Sequence, residues 1–240
     1  MIRDSNKRRR AASWATFFIV WGAISFGGYQ LVAHPDTPLP DHWNPVKPLD
    51  ASAPLTPLTN WKLRRISGDR AACLAALDTI AGFSHMADKD VSDQCHIRNR
   101  VKISLLSDIE IRGTETRCDL ALVTAMWLKH GVQPAADFHF GQPVRAVRTQ
   151  GSYNCRAIAG TSRMSQHATA RAIDVAGFTL ADGQKIELSQ DWEASGAKSQ
   201  FLRDVRDISC TWFKTTLGPD YNRAHHDHFH FQLNGWGTCR

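Results

Sequence analysis

The sequence predicts an α+β domain, an antiparallel β-sheet with flanking helices, preceded by an N-terminal transmembrane helix. Three observations carry this prediction: a long uncharged apolar run near the N-terminus, helical spacing of apolar residues in three later stretches, and short strand-like stretches grouped late in the chain. The 240 residues are 42% hydrophobic and 22% charged, an ordinary globular composition. The formal charge of +6 is concentrated: Arg3, Lys7, Arg8, Arg9 and Arg10 against Asp4 place +4 in the first ten residues and leave +2 for the other 230. A basic footprint spread over a folded face is therefore absent, and nucleic acid is not an expected partner.

In chain order, residues 1–12 read as a cytoplasmic basic tail and 13–33 as a transmembrane signal anchor. No Asp, Glu, Lys or Arg occurs between Arg10 and Asp36, and the run WATFFIVWGAISFGGYQLVA has roughly the 20 residues a helix needs to cross a bilayer core. The basic cluster before it stays inside by the positive-inside bias, so the rest of the chain is exported. A cleaved signal peptide has a similar charged start but a shorter apolar stretch, about 7 to 15 residues, so length favours an uncleaved anchor. Residues 34–60 hold seven of the ten prolines and read as a Pro-rich spacer, stiff and extended at about 3.1 Å per residue. Residues 61–240 are the expected folded domain.

Within that domain, helices are expected over 69–83, over 117–130 with Gly131 as a stop, and over 197–213 before Gly218-Pro219. Strands are expected over 144–148, 152–158, 170–178, 185–188 and 226–233. Six cysteines with no CxxC spacing fit structural disulfides in an oxidising compartment. Nearness in the chain pairs Cys73 with Cys95, Cys118 with Cys155, and Cys210 with Cys239.

Three places concentrate polar groups that a core would not choose. One is Ser165-Gln166-His167 through Asp174, another is His225-His226-Asp227-His228-Phe229-His230-Phe231, and the third is Tyr153-Asn154-Cys155-Arg156. Strand alternation puts His226, His228 and His230 on one face and the phenylalanines on a buried one. His167, Asp174 and one strand histidine would supply a His2Asp zinc set, with a fourth position left to water in a catalytic site. A second strand histidine, two residues before the ligand, lies on the same face and could act as general base, because an unperturbed imidazole titrates near neutral pH. Singly, each histidine would read as a surface or core residue; the joint pattern SxHxxxxAxD followed by HxxHxH lifts the set above that reading.

Ser165, His167, Ala172 and Asp174, with His228 and His230 downstream, resemble the SxHxxGxAxD and HxH motifs of the LAS metallopeptidases, the hedgehog and D-Ala-D-Ala carboxypeptidase zinc fold. The run from Trp61 onward, with SYNCR, FLRDVRDISC, LGPDYN and HxDHFH, is similar to the extensin-like C-terminal domain of Gram-negative bacteria. The resemblance implies a LAS-like fold with zinc bound by His167, Asp174 and His230. It also implies His228 as base, His225 as an additional active-site histidine, and Arg156 facing substrate or the developing oxyanion, with Ser165 in support. His225 conflicts with alternation, which favours His226; a strand beginning only at Asp227 removes the conflict, and His225 is the expected member. Ala170 stands where the family has glycine, so a left-handed backbone there would strain the loop. The implied function is a membrane-anchored periplasmic zinc peptidase acting on peptidoglycan stem peptides or cross-links. The alternative is a non-catalytic zinc-containing protein that binds peptidoglycan or an envelope partner; an open fourth zinc position beside His228 separates the two. The sequence names no protein partner.

Overall fold

A computed structural model describes residues 2–240, with side chains from Ser13 onward. The basic tail expected at 1–12 lies outside the described side chains. Helix α1 (Ile2–Ala33) contains Ser13–Ala33, 21 residues with mean hydropathy 1.4, long and apolar enough to span a membrane. Its large side chains, Trp14, Phe18, Ile19 and Phe26 among them, are exposed.

The stretch after α1 does not run on as a bare extended spacer. Asp41–Trp43 forms a 3-10 turn, and the fully buried Asn44 donates from Nδ2 to the carbonyl of Val32 at 2.8 Å while its Oδ1 accepts from Val46 N at 3.0 Å. One of the orphan carbonyls at the end of α1 is thereby satisfied. Lys62 Nζ donates to the carbonyls of Asp41 (2.8 Å) and Pro48 (3.3 Å), and Thr56 Oγ1 donates to His42 O at 3.0 Å. Proline sets stiffness, but side chains that reach backbone carbonyls decide whether a stiff chain stays open; here they fold it. The apolar helix, the stretch to Leu49 and Pro54–Lys62 form one compact unit, while Asp50–Ala53 and Leu63–Arg240 form a second.

After α2 (Pro57–Ile66), helix α3 (Arg70–Asp78) is capped by Asp69, whose Oδ1 accepts from Ala72 N at 3.0 Å. It ends five residues before the expected Phe83, because the next residues pair as β1 (Ala81–His85). Four more strands follow that the late-strand expectation passes over: β2 (Lys89–Ser92), β3 (Cys95–Ile97), β4 (Arg100–Leu106) and β5 (Ile109–Arg117). Helix α4 (Cys118–Trp127) then continues through a π-turn (Leu128–Val132) into α5 (Gln133–Phe140). Gly131 is not a stop. A Cβ there would lie 2.6 Å from Ile208 Cγ2, so glycine serves the close approach of a later helix, and the chain stops instead at Gly141 with φ 62°.

The remaining elements are β6 (Val144–Gly151), β7 (Ala172–Leu180), β8 (Lys185–Glu187), α6 (Leu188–Asp191), α7 (Ala197–Trp212), β9 (Thr215–Leu217), β10 (Phe229–Gln232) and β11 (Thr238–Cys239). The strand expected over 152–158 is an irregular segment with one isolated bridge, Ala157 to Met164. The expected helix over 197–213 matches α7.

The sheet runs β1-β4-β5-β6-β7-β10-β9-β11, with β8 beside the far end of β7. It is mixed: β5 with β6 and β9 with β11 are parallel, and the other pairs are antiparallel. Strand β7 is buried along nearly its whole length, covered on both faces. Trp127, fully buried, sits against Phe231, Phe213 and Phe178 at ring distances of 5.0, 5.9 and 6.3 Å. Each such ring contributes about 1.5–3 kcal/mol by leaving water, which fixes the helix layer against β7 and β10. The disulfides are Cys73–Cys118, Cys95–Cys155 and Cys210–Cys239. Nearness in the chain holds for the last only; in the other two, residues 45 and 60 apart are brought together by the fold.

Candidate metal centre

Strands β7 and β10 place the first two functional side chains. His230 is the register partner of Asp174 in this antiparallel pair, so the two side chains stand together on one face. Phe229 and Phe231 point the other way and are fully buried, as alternation requires. His167 comes from a 3-10 turn, Gln166–Thr169, that precedes β7. Ser165 caps this turn, its Oγ accepting from His167 N at 3.3 Å, so its role is to hold the turn. Ala170 ends the turn with φ 50° and ψ 35°, the left-handed conformation that the missing glycine would have adopted freely.

The three side chains converge. His167 Nε2 lies 3.1 Å from His230 Nδ1 and 3.2 Å from Asp174 Oδ2, and His230 Nδ1 lies 3.0 Å from Asp174 Oδ1. All three residues are buried. His167 is oriented from behind: its Nδ1 donates to the carbonyl of Ser152 at 2.8 Å. Ser152 is itself held by Oγ contacts to Ala172 O and Thr116 Oγ1, both 2.7 Å. With its proton on Nδ1, a neutral His167 keeps Nε2 free for a cation shared with Asp174; with no cation there, a second ring proton fills the gap and makes the hydrogen bond to the carboxylate. Burial acting alone would raise the Asp174 pKa, but hydrogen bonds from His167 and His230 and their charge hold it well below the usual carboxylate range.

This donor set fits zinc. Nitrogen and oxygen ligands at about 2.0–2.1 Å in a tetrahedron lie about 3.3–3.4 Å from one another; here one ligand atom from each of the three residues lies within 4.8 Å of the others, close enough to draw in on such an ion. A histidine whose outer nitrogen donates to a backbone carbonyl is the usual supporting arrangement.

His228 sits beside the triangle, its Nε2 3.8 Å from Asp174 Oδ1. Its Nδ1 donates to Asp227 Oδ1 at 2.9 Å, and Asp227 Oδ2 accepts from Gln150 Nε2 at 3.2 Å. The hydrogen bond from His228 is the main reason that the Asp227 pKa is lowered. His225 also reaches the cluster, with ring centroids 5.3 Å from His228 and 5.8 Å from His230, and its Nδ1 is 2.7 Å from Asn222 Oδ1. Burial pushes its pKa down to about 4, with the charges of His230 and His228 adding to the effect. His226, which alternation favoured, points away and is exposed, bonded to Arg223 O. The reason is local: β10 begins at Phe229, and His225 belongs to a 3-10 turn, Arg223–His225, where period-2 counting does not apply.

Arg156 is exposed, on an irregular segment and not on the strand expected at 153–156, and its charge contributes to lowering the His225 pKa. The segment is tied to the His167 turn by Asn154 N to His167 O and Ser165 N to Arg156 O, each 3.0 Å. Sequence reasoning singled out neither Asp227, Asn222 nor Ser152. Asp227 was legible as the acid next to His228; Ser152 acts through its carbonyl, which no side-chain pattern reveals.

Fold and site together define an α+β domain with a buried His-Asp-His cluster on one face of its sheet. Residues 71–240 match the family described as extensin-like protein C-terminus, and the chain belongs to that family. Neither a curated protein nor a solved structure matches it.

Proposed function

We propose that this chain is a membrane-anchored zinc metallopeptidase of the cell envelope that hydrolyses peptidoglycan stem peptides or cross-links, related in fold and chemistry to the LAS metallopeptidases. The observation that carries this reading is the buried triangle of His167, Asp174 and His230 with an oriented histidine, His228, beside it. These three residues would hold zinc, which when bound supplies Lewis-acid activation of a carbonyl and of a water. His228 is placed to accept a proton at Nε2 and return it to the leaving amine, since Asp227 holds the proton on Nδ1 and keeps the ring turned to the site. Arg156, close enough for its charge to act on His225, would present its guanidinium to a carboxylate or the developing oxyanion, with His225 beside it. Pairing of all six cysteines supports an oxidising compartment, and the N-terminal helix supports attachment to the inner membrane with the second unit in the periplasm.

The test uses the full-length protein in detergent, with His228→Ala beside it. Zinc per chain is measured first, then new amine ends from purified cross-linked peptidoglycan. About one zinc per chain in both proteins, with amine ends released by the parent alone, is the expected result. Zinc without cleavage would leave the non-catalytic binding reading, and a metal-free parent would overturn the zinc assignment.

A further inference from the structure

The two histidines of the triangle are oriented by different means. His167 donates directly to a backbone carbonyl. His230 faces a side-chain amide: its Nε2 lies 3.0 Å from Gln232 Oε1. An amide can turn over and exchange its oxygen for its nitrogen, so by itself it selects no imidazole tautomer. Here it cannot turn. Gln232 Nε2 lies 2.9 Å from Asn234 O, and a backbone carbonyl only accepts, so the amide nitrogen must face it. Thr215, the register partner of Gln232 on β9, donates from Oγ1 to the same carbonyl at 3.0 Å and accepts from Gln232 Nε2 at 3.1 Å. The amide oxygen is therefore left facing His230, and the proton must sit on His230 Nε2.

We propose that Gln232 is a positioning residue of the centre, an amide relay that carries the orientation of the Asn234 carbonyl to His230 and makes Nδ1 its inward, metal-facing nitrogen. Two further features hold the relay. Asn234 Nδ2 donates to Gln166 Oε1 at 3.0 Å, one residue before His167, so the relay is tied to the turn bearing the other histidine. Gly235 lets the chain close over it, because a Cβ there would collide with Thr215 Oγ1 and crowd Gln232 Nε2. The outcome is asymmetric, with Nε2 of His167 and Nδ1 of His230 meeting at the same carboxylate.

This inference rests on the zinc reading. Long-range proton–nitrogen NMR of the zinc-loaded, full-length protein in detergent reads which ring nitrogen of His230 carries the proton and which faces the metal, since without metal the Asp174 carboxylate draws a proton to Nδ1 whatever Gln232 does. Neutral His230 is expected to carry its proton on Nε2 in the parent and to become a tautomer mixture in Gln232→Leu. Zinc affinity, by competition with a chromophoric chelator, is expected to fall about 10- to 100-fold in Gln232→Leu, the usual loss for an outer partner of a ligand. Gln232→Glu keeps the acceptor toward His230 but sets a carboxylate oxygen against the Asn234 carbonyl, so it should recover only part of it. A parent His230 protonated on Nδ1 overturns the assignment, as does Gln232→Leu with parental zinc affinity. A parent that binds no zinc overturns the metal reading, whereas a parent that binds zinc through Nε2 of His230 overturns the role of Gln232 alone.

Discussion

The two halves of the sheet are built differently. The first, β1, β4 and β5, is a set of strands in which β4 and β5 alternate in exposure, while β2 and β3 pair apart from it as a two-stranded sheet. It carries no member of the histidine cluster; Cys73–Cys118 ties α3 to the start of α4, which follows β5, and Cys95–Cys155 ties β3 to the segment before the His167 turn. The second, β6, β7, β10 and β9, surrounds a strand buried on both faces and backed by the Trp127 aromatic cluster, and it supplies Asp174 and His230. The lesson is that the His-Asp-His cluster stands where the backbone is most constrained by packing. Two of the three covalent links lie around the half with less burial.

Removing those links is the largest expected perturbation. Closing loops of 45 and 60 residues is worth about 4 kcal/mol each in the chain-entropy account. Cys73→Ser/Cys118→Ser and Cys95→Ser/Cys155→Ser should therefore lose comparable stability in denaturant unfolding. Their effects on the site should differ. Cys155 lies between Asn154 and Arg156, which bond the His167 turn, so the second double variant should also bind zinc at least about tenfold more weakly, while the first stays near parental. Equal zinc affinity in the two would break the comparison.

Glycine substitutions probe the same contrast in packing. In the second half, a Cβ at Gly177 would lie 2.6 Å from the backbone oxygen of Ile186, which cannot move without disturbing the β7–β8 pair. Gly177→Ala should cost about 1–3 kcal/mol. In the first half, a Cβ at Gly82 meets Leu105 Cβ at 3.2 Å, beside a register shift that can absorb it. Gly82→Ala should stay within about 0.5 kcal/mol of the parent, as surface substitutions do. Similar melting shifts for the two would mean the halves are equally tight.

Ala170→Gly should have a small effect of either sign. Releasing a left-handed alanine gains about 1–2 kcal/mol, but the loss of a buried methyl costs about 0.8 kcal/mol and a freer unfolded chain about 0.4–1 kcal/mol. The terms nearly cancel, so unfolding should shift by less than about 1 kcal/mol in either direction. A large loss would show that the alanine side chain, and not the backbone turn, holds His167.

The site was more legible than the fold. His167, Asp174, His228 and His230 stand out because buried polar residues in a strand-like context conflict with core composition. The strands β4 and β5 were also written in the sequence, in the alternation Val101-Lys102-Ile103 and Ile109-Glu110-Ile111, yet the apolar runs of the later strands give a stronger signal. Gly131 misled because a stop and a close approach call for the same residue. His226 misled because alternation was counted through a turn.

What the sequence determined by itself is local: the apolar helix, the capped start of α3, the helix α7, the outward and inward faces of β10, and the residue types of the centre. Only the tertiary structure decided the two crossed disulfides, the choice of His225 over His226, the folding of the Pro-rich stretch and the locked amide of Gln232. The physical reason is that local features follow from steric and hydrophobic periodicity over a few residues. The others depend on which backbone carbonyl or thiol lies within bonding reach, a matter of distances between segments far apart in the chain.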